Sequence, residues 1–259
     1  MAQLWTAKRV VISPDAPTLA DAVAARLLSR LAKRSAAGKT SHIALAGGAI
    51  GTAVLRAAGD HASGHDIDWS LVHFWWGDEV FAPRADAERH EQAARAALID
   101  RIDVPARNVH AIAGADEATD QDAAAAAYAA ELARFGEDDR PWPDFYVCFL
   151  GVGSDGHIAS LFPDRSAIQV TDRSVVAVRE APKPPAERIT LTRPVINSAR
   201  CVWLVVSGSD KAAALGLALA GASYETVPAA GAKGRKRTLF FVDEAAAVGV
   251  PPELIDQEF

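Results

Sequence analysis

The sequence predicts an α/β fold, a doubly wound and mostly parallel sheet with helices on both faces. Three observations point there. Strand-like and helix-like segments alternate along nearly all of the 259 residues, which is the pattern of βα units joined by right-handed crossovers. The run Phe145, Tyr146, Val147, Cys148, Phe149 and Leu150 is apolar on both faces, as an interior parallel strand is. Glycine-rich turns follow several of the strand-like runs, at the edge where an open α/β sheet binds ligands.

Taken in order, residues 10–12 are a short strand, and TLADAVAARLLSRLAKR is a helix. Its expected capping box is Thr18 and Asp21, and Leu19, Val23, Leu27 and Leu31 share one face. Residues 42–45 make the next strand, a Gly-Gly turn follows, and 50–58 read as a helix. Residues 71–76 are a bulky apolar strand ending in Gly77-Asp78-Glu79. ERHEQAARAALIDRI is helical, as is the alanine-rich TDQDAAAAAYAAELARFG, whose period and propensity outweigh its low complexity.

After residues 145–150, Gly151, Gly153 and Gly156 can take backbone conformations that residues with a Cβ resist. Residues 158–162 are expected to open a helix that Pro163 ends. His157 then stands at a strand's carboxyl end, near a helix N-terminus. SVVAVR, ERITLT, CVWLVVSG and TLFFVDEA are further strands, and SDKAAALGLALAG is a helix. REAPKPPAER, with three prolines, is an irregular loop. No internal repeat and no Ser/Gly/Pro linker interrupts the chain, so residues 1–259 are expected to form one domain.

Half of the residues are hydrophobic and 23% are charged, enough for a sizeable core and too ordinary for global disorder. A net charge of −6 gives no sign of a nucleic-acid partner. Cys148 and Cys201 each lie inside an apolar run, which suits buried thiols in a reducing compartment better than a disulfide, a metal pair or a nucleophile. MAQLWTAKRVVIS lacks the apolar core and cleavage site of a signal peptide. No apolar stretch reaches the roughly 20 residues that span a bilayer. A soluble cytoplasmic protein with no membrane partner is the expectation.

Four strand ends carry unusual residues: AGGAIG at 46–51, WGDE at 76–79, GSDGH at 153–157 and SGSDK at 207–211. Each alone has a plainer explanation, whether a tight connection, a solvated acidic pair or a surface lysine. Parallel strands bring their carboxyl ends to one edge, so together the four turns can line one crevice. Gly47 and Gly48 before a helix expose amides at the positive end of a dipole, which suits a phosphate. Lys211 can add a positive charge. His157 is the natural proton-transfer group near neutral pH, with Asp78 or Asp155 to orient it or to handle a second proton. The implied substrate is small, polar and phosphorylated.

Other chemistries fit poorly. Val152 precedes Ser154 by two, so there is no G-x-S-x-G elbow. No H-E-x-x-H occurs, and His61 and His65 flank Ser63-Gly64, a polar loop more than a metal site. Gly47, Gly48 and Gly51 miss the dinucleotide G-x-G-x-x-G spacing, although Asp66 and Asp68 lie at a tempting distance for a ribose contact.

FLGVGSDGHIASLFPD resembles the signature of the 6-phosphogluconolactonases. VHFWWGDEVFAP, PKPPAERITLT and VWLVVSGSDKAAAL are similar to further motifs of that family, and VPAAGAKGRKRTLFFVDEAA is similar to its actinobacterial members. The similarity covers nearly the whole chain. It implies hydrolysis of a small-molecule sugar-phosphate lactone, 6-phosphogluconolactone, to 6-phosphogluconate in the oxidative pentose phosphate pathway. No cofactor or metal is implied, and the fold is akin to that of glucosamine-6-phosphate isomerases. A monomer or a small homo-oligomer fits equally.

By this resemblance, His157 takes a proton from water as it attacks the lactone carbonyl and returns it to the departing ring oxygen. Backbone amides of a glycine turn hold the oxyanion. Gly47, Gly48, Arg188 and Lys211 anchor the phosphate, and Ala49 and Glu79 belong to the same binding set. Asp78 orients His157 or a substrate hydroxyl. The chain departs from the family where Val80 replaces an arginine, where Ala46 and Ala49 replace hydroxyl residues, and where His90 stands for asparagine. Arg84, past Pro83, is a replacement cation if its loop folds over the site, and a solvated loop arginine otherwise. The alternatives are a sugar-phosphate-binding homologue impaired by Val80, and an amino-sugar-phosphate isomerase or deaminase. Those isomerases carry a glutamate after Asn-Gly-His where this chain has Ser160-Leu161-Phe162 following Asp-Gly-His.

Overall fold

The computed structural model describes residues 8–137 and 139–256. The opening MAQLWTA, part of the segment without signal-peptide features, lies outside the described residues. The elements are β1 (Lys8–Ser13), α1 (Ala16–Ala36), β2 (Ser41–Leu45), α2 (Gly48–His61), β3 (Val72–Trp76), β4 (Asp78–Val80), α3 (His90–Ala97) and β5 (Val109–His110). They continue with α4 (Gln121–Ala133), β6 (Phe145–Gly151), β7 (Val175–Val178), β8 (Arg188–Leu191), α5 (Arg193–Asn197), β9 (Cys201–Val206), α6 (Ala212–Leu219) and β10 (Arg237–Asp243).

Seven strands form one sheet in the order β1-β10-β9-β6-β2-β3-β5, with every pairing parallel. All six residues of β9, CVWLVV, are buried, and burying each large apolar side chain contributes about 1.5–3 kcal/mol. The chain runs outward from β2 through β3 to β5, then returns to β6 on the other side of β2 and runs outward through β9 to β10. Right-handed crossovers in opposite directions place helices on opposite faces of the sheet. Accordingly α1 packs on α2 and α2 on α3, whereas α4 packs on β7 and β8.

Helix α1 buries Leu19, Val23, Leu27 and Leu31 as the spacing predicts, but its cap lies three residues earlier. Asp15, in extended backbone, accepts a hydrogen bond from the Thr18 amide at 2.8 Å, so Thr18 is already inside the helix. Cys148 and Cys201 are both free and buried. Burial pushes the Cys148 thiol up to about 12, which leaves it inert as a nucleophile.

Two expectations need correction. SVVAVR and ERITLT do not join the parallel sheet: β7 and β8 pair antiparallel with each other, and β8 pairs antiparallel with β4. Only residues 179–187 connect β7 to β8, too few for the crossover that a parallel pairing needs. Residues 158–162 form no helix. Gly156, Ala159 and Asp164 all take positive φ, and Ile158 pairs with Leu161 across a tight turn. His157 therefore sits on a loop of successive turns, and the helix whose N-terminus faces the site is α2.

Candidate active site

At the switch between β2 and β6, connections leave the sheet on opposite faces and open a crevice at the strands' carboxyl ends. A cavity of about 260 Å³ lies there. Its walls are residues 45–48 after β2, Gly77 and Asp78 after β3, residues 149–153 at the end of β6, and His90, His157, Ala159 and Arg188.

The loop after β6 builds a proton-transfer pair from residues two apart. The His157 Nδ1 lies 2.5 Å from Asp155 Oδ1. The Gly153 amide donates to the His157 carbonyl at 3.0 Å, and the Gly156 amide to the Gly153 carbonyl at 2.9 Å, which closes the loop. A Cβ on Gly153 would overlap the His157 ring, so glycine is required there for the ring to lie against the turn. The ring also contacts Phe162, with centroids 4.7 Å apart. Lys183 Nζ stands 3.4 Å from the same Asp155 oxygen. Burial pushes the Asp155 carboxyl up, but the hydrogen bond and charge of His157, with the charge of Lys183, outweigh it and hold the group below the usual carboxylate range. An ionised Asp155 fixes the proton of His157 on Nδ1 and presents Nε2 as the basic nitrogen.

Asp78 and Arg188 come together because β4 and β8 are paired, with Asp78 opposite Thr190 and Val80 opposite Arg188. Asp78 Oδ2 accepts from the Ser160 hydroxyl at 2.7 Å and lies 3.8 Å from Arg188 Nη1. The proline-rich loop aims the guanidinium: Arg188 Nε donates to the Pro185 carbonyl at 2.9 Å and Nη2 to the Pro184 carbonyl at 3.2 Å. Its remaining N–H groups are available at the cavity wall, in the planar fork that suits an oxyanion.

The third component is the start of α2. Gly47 is the cap, no side chain caps the first turn, and Gly48 takes φ +79°. The first-turn amides thus remain as donors at the positive end of a helix of 14 residues. The His90 ring lies against Gly47, where a Cβ would overlap it. His90 Nδ1 is 3.0 Å from the Asp78 carbonyl, which can only accept, so Nδ1 carries the proton.

The cavity thus unites His157, Gly47, Gly48, Asp78 and Arg188, with Asp155 behind His157. Other expected residues stand elsewhere. Asp155, and not Asp78, orients His157. Ala49 is exposed on α2 and off the cavity wall. Glu79 is buried behind the site, accepting from the Val80, His90 and Glu91 amides at 2.7–2.8 Å. It caps α3 and is not part of the cavity wall. Burial raises its pKa, opposed by the charges of His90 and Arg89 and by the Glu91 and His90 amides. Lys211 is paired with Asp210 at 3.0 Å, outside the cavity lining. The amides of Gly153 and Gly156 are spent within their own loop, so the open amides lie at α2.

Arg84 does not fold over the site. Its Nη1 is 2.9 Å from Glu91 Oε1 and its Nε 2.6 Å from Glu117 Oε1, beside a different cavity. The buried cation near Val80 is Arg89, which donates to the Val80, Ala82 and Ile112 carbonyls and braces the segment between β4 and α3. Sequence reasoning missed the roles of Ser160, Lys183 and Arg89. Ser160 and Lys183 lie in segments read as a helix and as a bare loop, and only the pairing of β4 with β8 shows what they face.

Comparison with known proteins follows the same outline. The family model described as glucosamine-6-phosphate isomerases/6-phosphogluconolactonase matches residues 14–241. The 6-phosphogluconolactonase of Streptomyces coelicolor is 43% identical, over 95% of this chain and 96% of that protein. The 6-phosphogluconolactonase of Mycobacterium leprae is 45% identical, over 93% of this chain and 98% of its own length. Among solved structures, the 6-phosphogluconolactonase of Trypanosoma brucei superposes with a TM-score of 0.82 at 24% identity, over 94% of this chain and 99% of that one, a likeness of fold.

Proposed function

Because the chain belongs to the family of glucosamine-6-phosphate isomerases and 6-phosphogluconolactonases, we propose that it hydrolyses 6-phosphogluconolactone to 6-phosphogluconate. The observation that carries this reading is the Asp155–His157 pair on the wall of a cavity that also holds Arg188 and the open amides of α2. A lactone phosphate needs a base for water at one end and an anion site at the other.

His157 Nε2 accepts a proton from water while the water oxygen bonds to the lactone carbonyl carbon. Asp155 stabilises the imidazolium that forms. When the ester bond to the ring oxygen breaks, the same proton passes from Nε2 to that oxygen. The phosphate rests on the amides at Gly47 and Gly48 with Arg188 as its cation, and Asp78 accepts from a substrate hydroxyl. No helix among the described residues is long and apolar enough to cross a membrane. With two buried free thiols, that favours a cytoplasmic step of the oxidative pentose phosphate pathway.

The test is the disappearance of freshly generated 6-phosphogluconolactone. The purified protein should accelerate it well beyond the spontaneous rate, and EDTA should leave that rate unchanged. Binding of 6-phosphogluconate without acceleration would show a protein that only binds the sugar phosphate. Turnover of glucosamine 6-phosphate instead would assign the site to isomerase or deaminase chemistry.

A further inference from the structure

Cations crowd a second cleft at the opposite, amino-terminal edge of the sheet. A cavity of about 500 Å³ is lined by Arg26, Arg30, Lys33, Arg34, Lys39 and Tyr146, and no lining residue is acidic. Tyr146 is at the start of β6, whereas the candidate active site is at the end of that strand. At 3.3 Å per residue the two lie about 16 Å apart along it.

This concentration stands out in a chain of net charge −6. Arg26, Arg30 and Arg34 recur every four residues and so share one face of α1, an arrangement of like charges that weakens a helix. Burial, then the charges of Arg30 and Arg237, push the Arg26 guanidinium down to about 10, with Asp256 acting in the opposite direction. Burial also lowers Arg34, with Arg200 adding to the effect and Tyr146 and Asp144 opposing it. Lys33 and Arg34 in the last turn suit the negative end of the helix dipole. That reason does not extend to Arg26 and Arg30, which lie further from the end, or to Lys39 beyond it.

The two central guanidiniums are held in place by aromatic rings. Arg34 lies over the Tyr146 ring at 4.2 Å and donates from Nε to Ser41 Oγ at 2.7 Å, with a second bond to the Thr40 carbonyl. Arg30 lies over the Trp203 ring at 5.6 Å and reaches the Tyr146 hydroxyl at 3.4 Å. Stacking orients a guanidinium while leaving most of its N–H groups for a ligand. Lys33 and Lys39, both exposed, complete the rim.

We propose that this cleft is a second ligand site, which binds a small oligophosphate, either free or as the phosphate chain of a nucleotide. The cations bound an open cleft that the helical rise limits to about 20 Å, room for a few phosphates. A long polyanion would extend over the rest of an acidic surface and be repelled by it. The site is separate from the lactone cavity, so the proposal stands or falls independently of the activity assigned there.

Isothermal titration of the full chain with inorganic tripolyphosphate, at low and at physiological salt, tests it. The expected result is saturable one-to-one binding that weakens with salt. It should weaken roughly tenfold or more in the double variant Arg30→Gln, Lys33→Gln, and be unchanged in Arg188→Ala. The pair Lys33→Gln, Lys39→Gln alters exposed side chains only and should also weaken binding, with melting temperature and lactone turnover unchanged. ATP binding more tightly than tripolyphosphate assigns the nucleotide, and equal binding assigns the oligophosphate alone. Absent binding, binding unaffected by both double variants, or binding lost in Arg188→Ala overturns the proposal. So does duplex DNA competing better than either phosphate ligand.

Discussion

At the scale of single residues, His157 and Arg84 have opposite fates. His157 is held by Asp155 at 2.5 Å with its other ring nitrogen free for water. Replacing it with asparagine should lower turnover by roughly 10²–10⁴-fold, the usual size of general-base assistance. The half-buried ring packs on one glycine and one phenylalanine, so the melting temperature should hold, and near-normal turnover in the folded variant would remove the base assignment. Arg84 is neutralised by Glu91 and Glu117, and these carboxylates raise its own pKa against the effect of burial, the Glu117 hydrogen bond most of all. Arg84→Ala should therefore leave the affinity for 6-phosphogluconate unchanged. A tenfold weakening, measured by titration, would restore Arg84 as the cation that stands in for the arginine replaced by Val80. The Asp155–His157 pair was legible in the sequence because contacts between residues two apart are set by one tight turn. Whether Arg84, Glu79 or Lys211 reaches the ligand was not, since each long side chain goes to the nearest partner that the fold supplies.

At the scale of elements, the site depends on how β3 and β4 are anchored. Tyr128 of α4 is fully buried, and its hydroxyl bridges the Trp76 amide at 2.9 Å and the Trp76 carbonyl at 3.1 Å. Trp76 ends β3 just before Gly77 and Asp78, so this bridge ties one helix to the cavity wall. Tyr128→Phe strands a buried backbone N–H and C=O, and should cost about 1–3 kcal/mol, read as a lower denaturation midpoint with unchanged slope. A midpoint equal to the parent protein's would mean that other contacts secure the strand end. The alanine-rich run identified α4, and the bulky apolar run identified β3. Their hydroxyl bridge was not visible, because apolar periodicity assigns faces and not partners.

Over the whole molecule, acid should unfold the protein through its histidines. His42, His73 and His110 stack in series on β2, β3 and β5, with ring centroids 4.6 and 5.2 Å apart. Burial first, then the charges of His73, His110 and Arg34, push His42 from 6.5 to about 3. Burial, then His110 and Arg107, push His73 from 6.5 to about 4. In both cases the unfolded chain binds the proton more readily than the folded chain. Their contribution is therefore fully present above pH 6.5 and is lost as pH falls from there, down to about 4 for His73 and about 3 for His42. The melting temperature should drop steadily across this window, and His42→Phe with His73→Phe should flatten the profile. A parent protein with a level profile down to pH 4 would contradict the buried neutral state.

The sequence by itself determined the α/β class, six of the seven strands of the parallel core and the turns that meet at its carboxyl edge. These follow from local periodicity, from doubly apolar strands and from glycine positions, all carried within a few residues. It also placed His157, Asp155, Gly47 and Gly48 at that edge. Only the tertiary structure decided that β4, β7 and β8 form a separate antiparallel sheet, and so that Arg188 comes to face Asp78. It alone set His90 against Gly47, Ser160 against Asp78 and Lys183 beside Asp155. The physical reason is range: backbone propensity and side-chain period act over one or two turns of chain. Which distant charges meet is settled by strand pairing and by the cost of burying a charge without a partner.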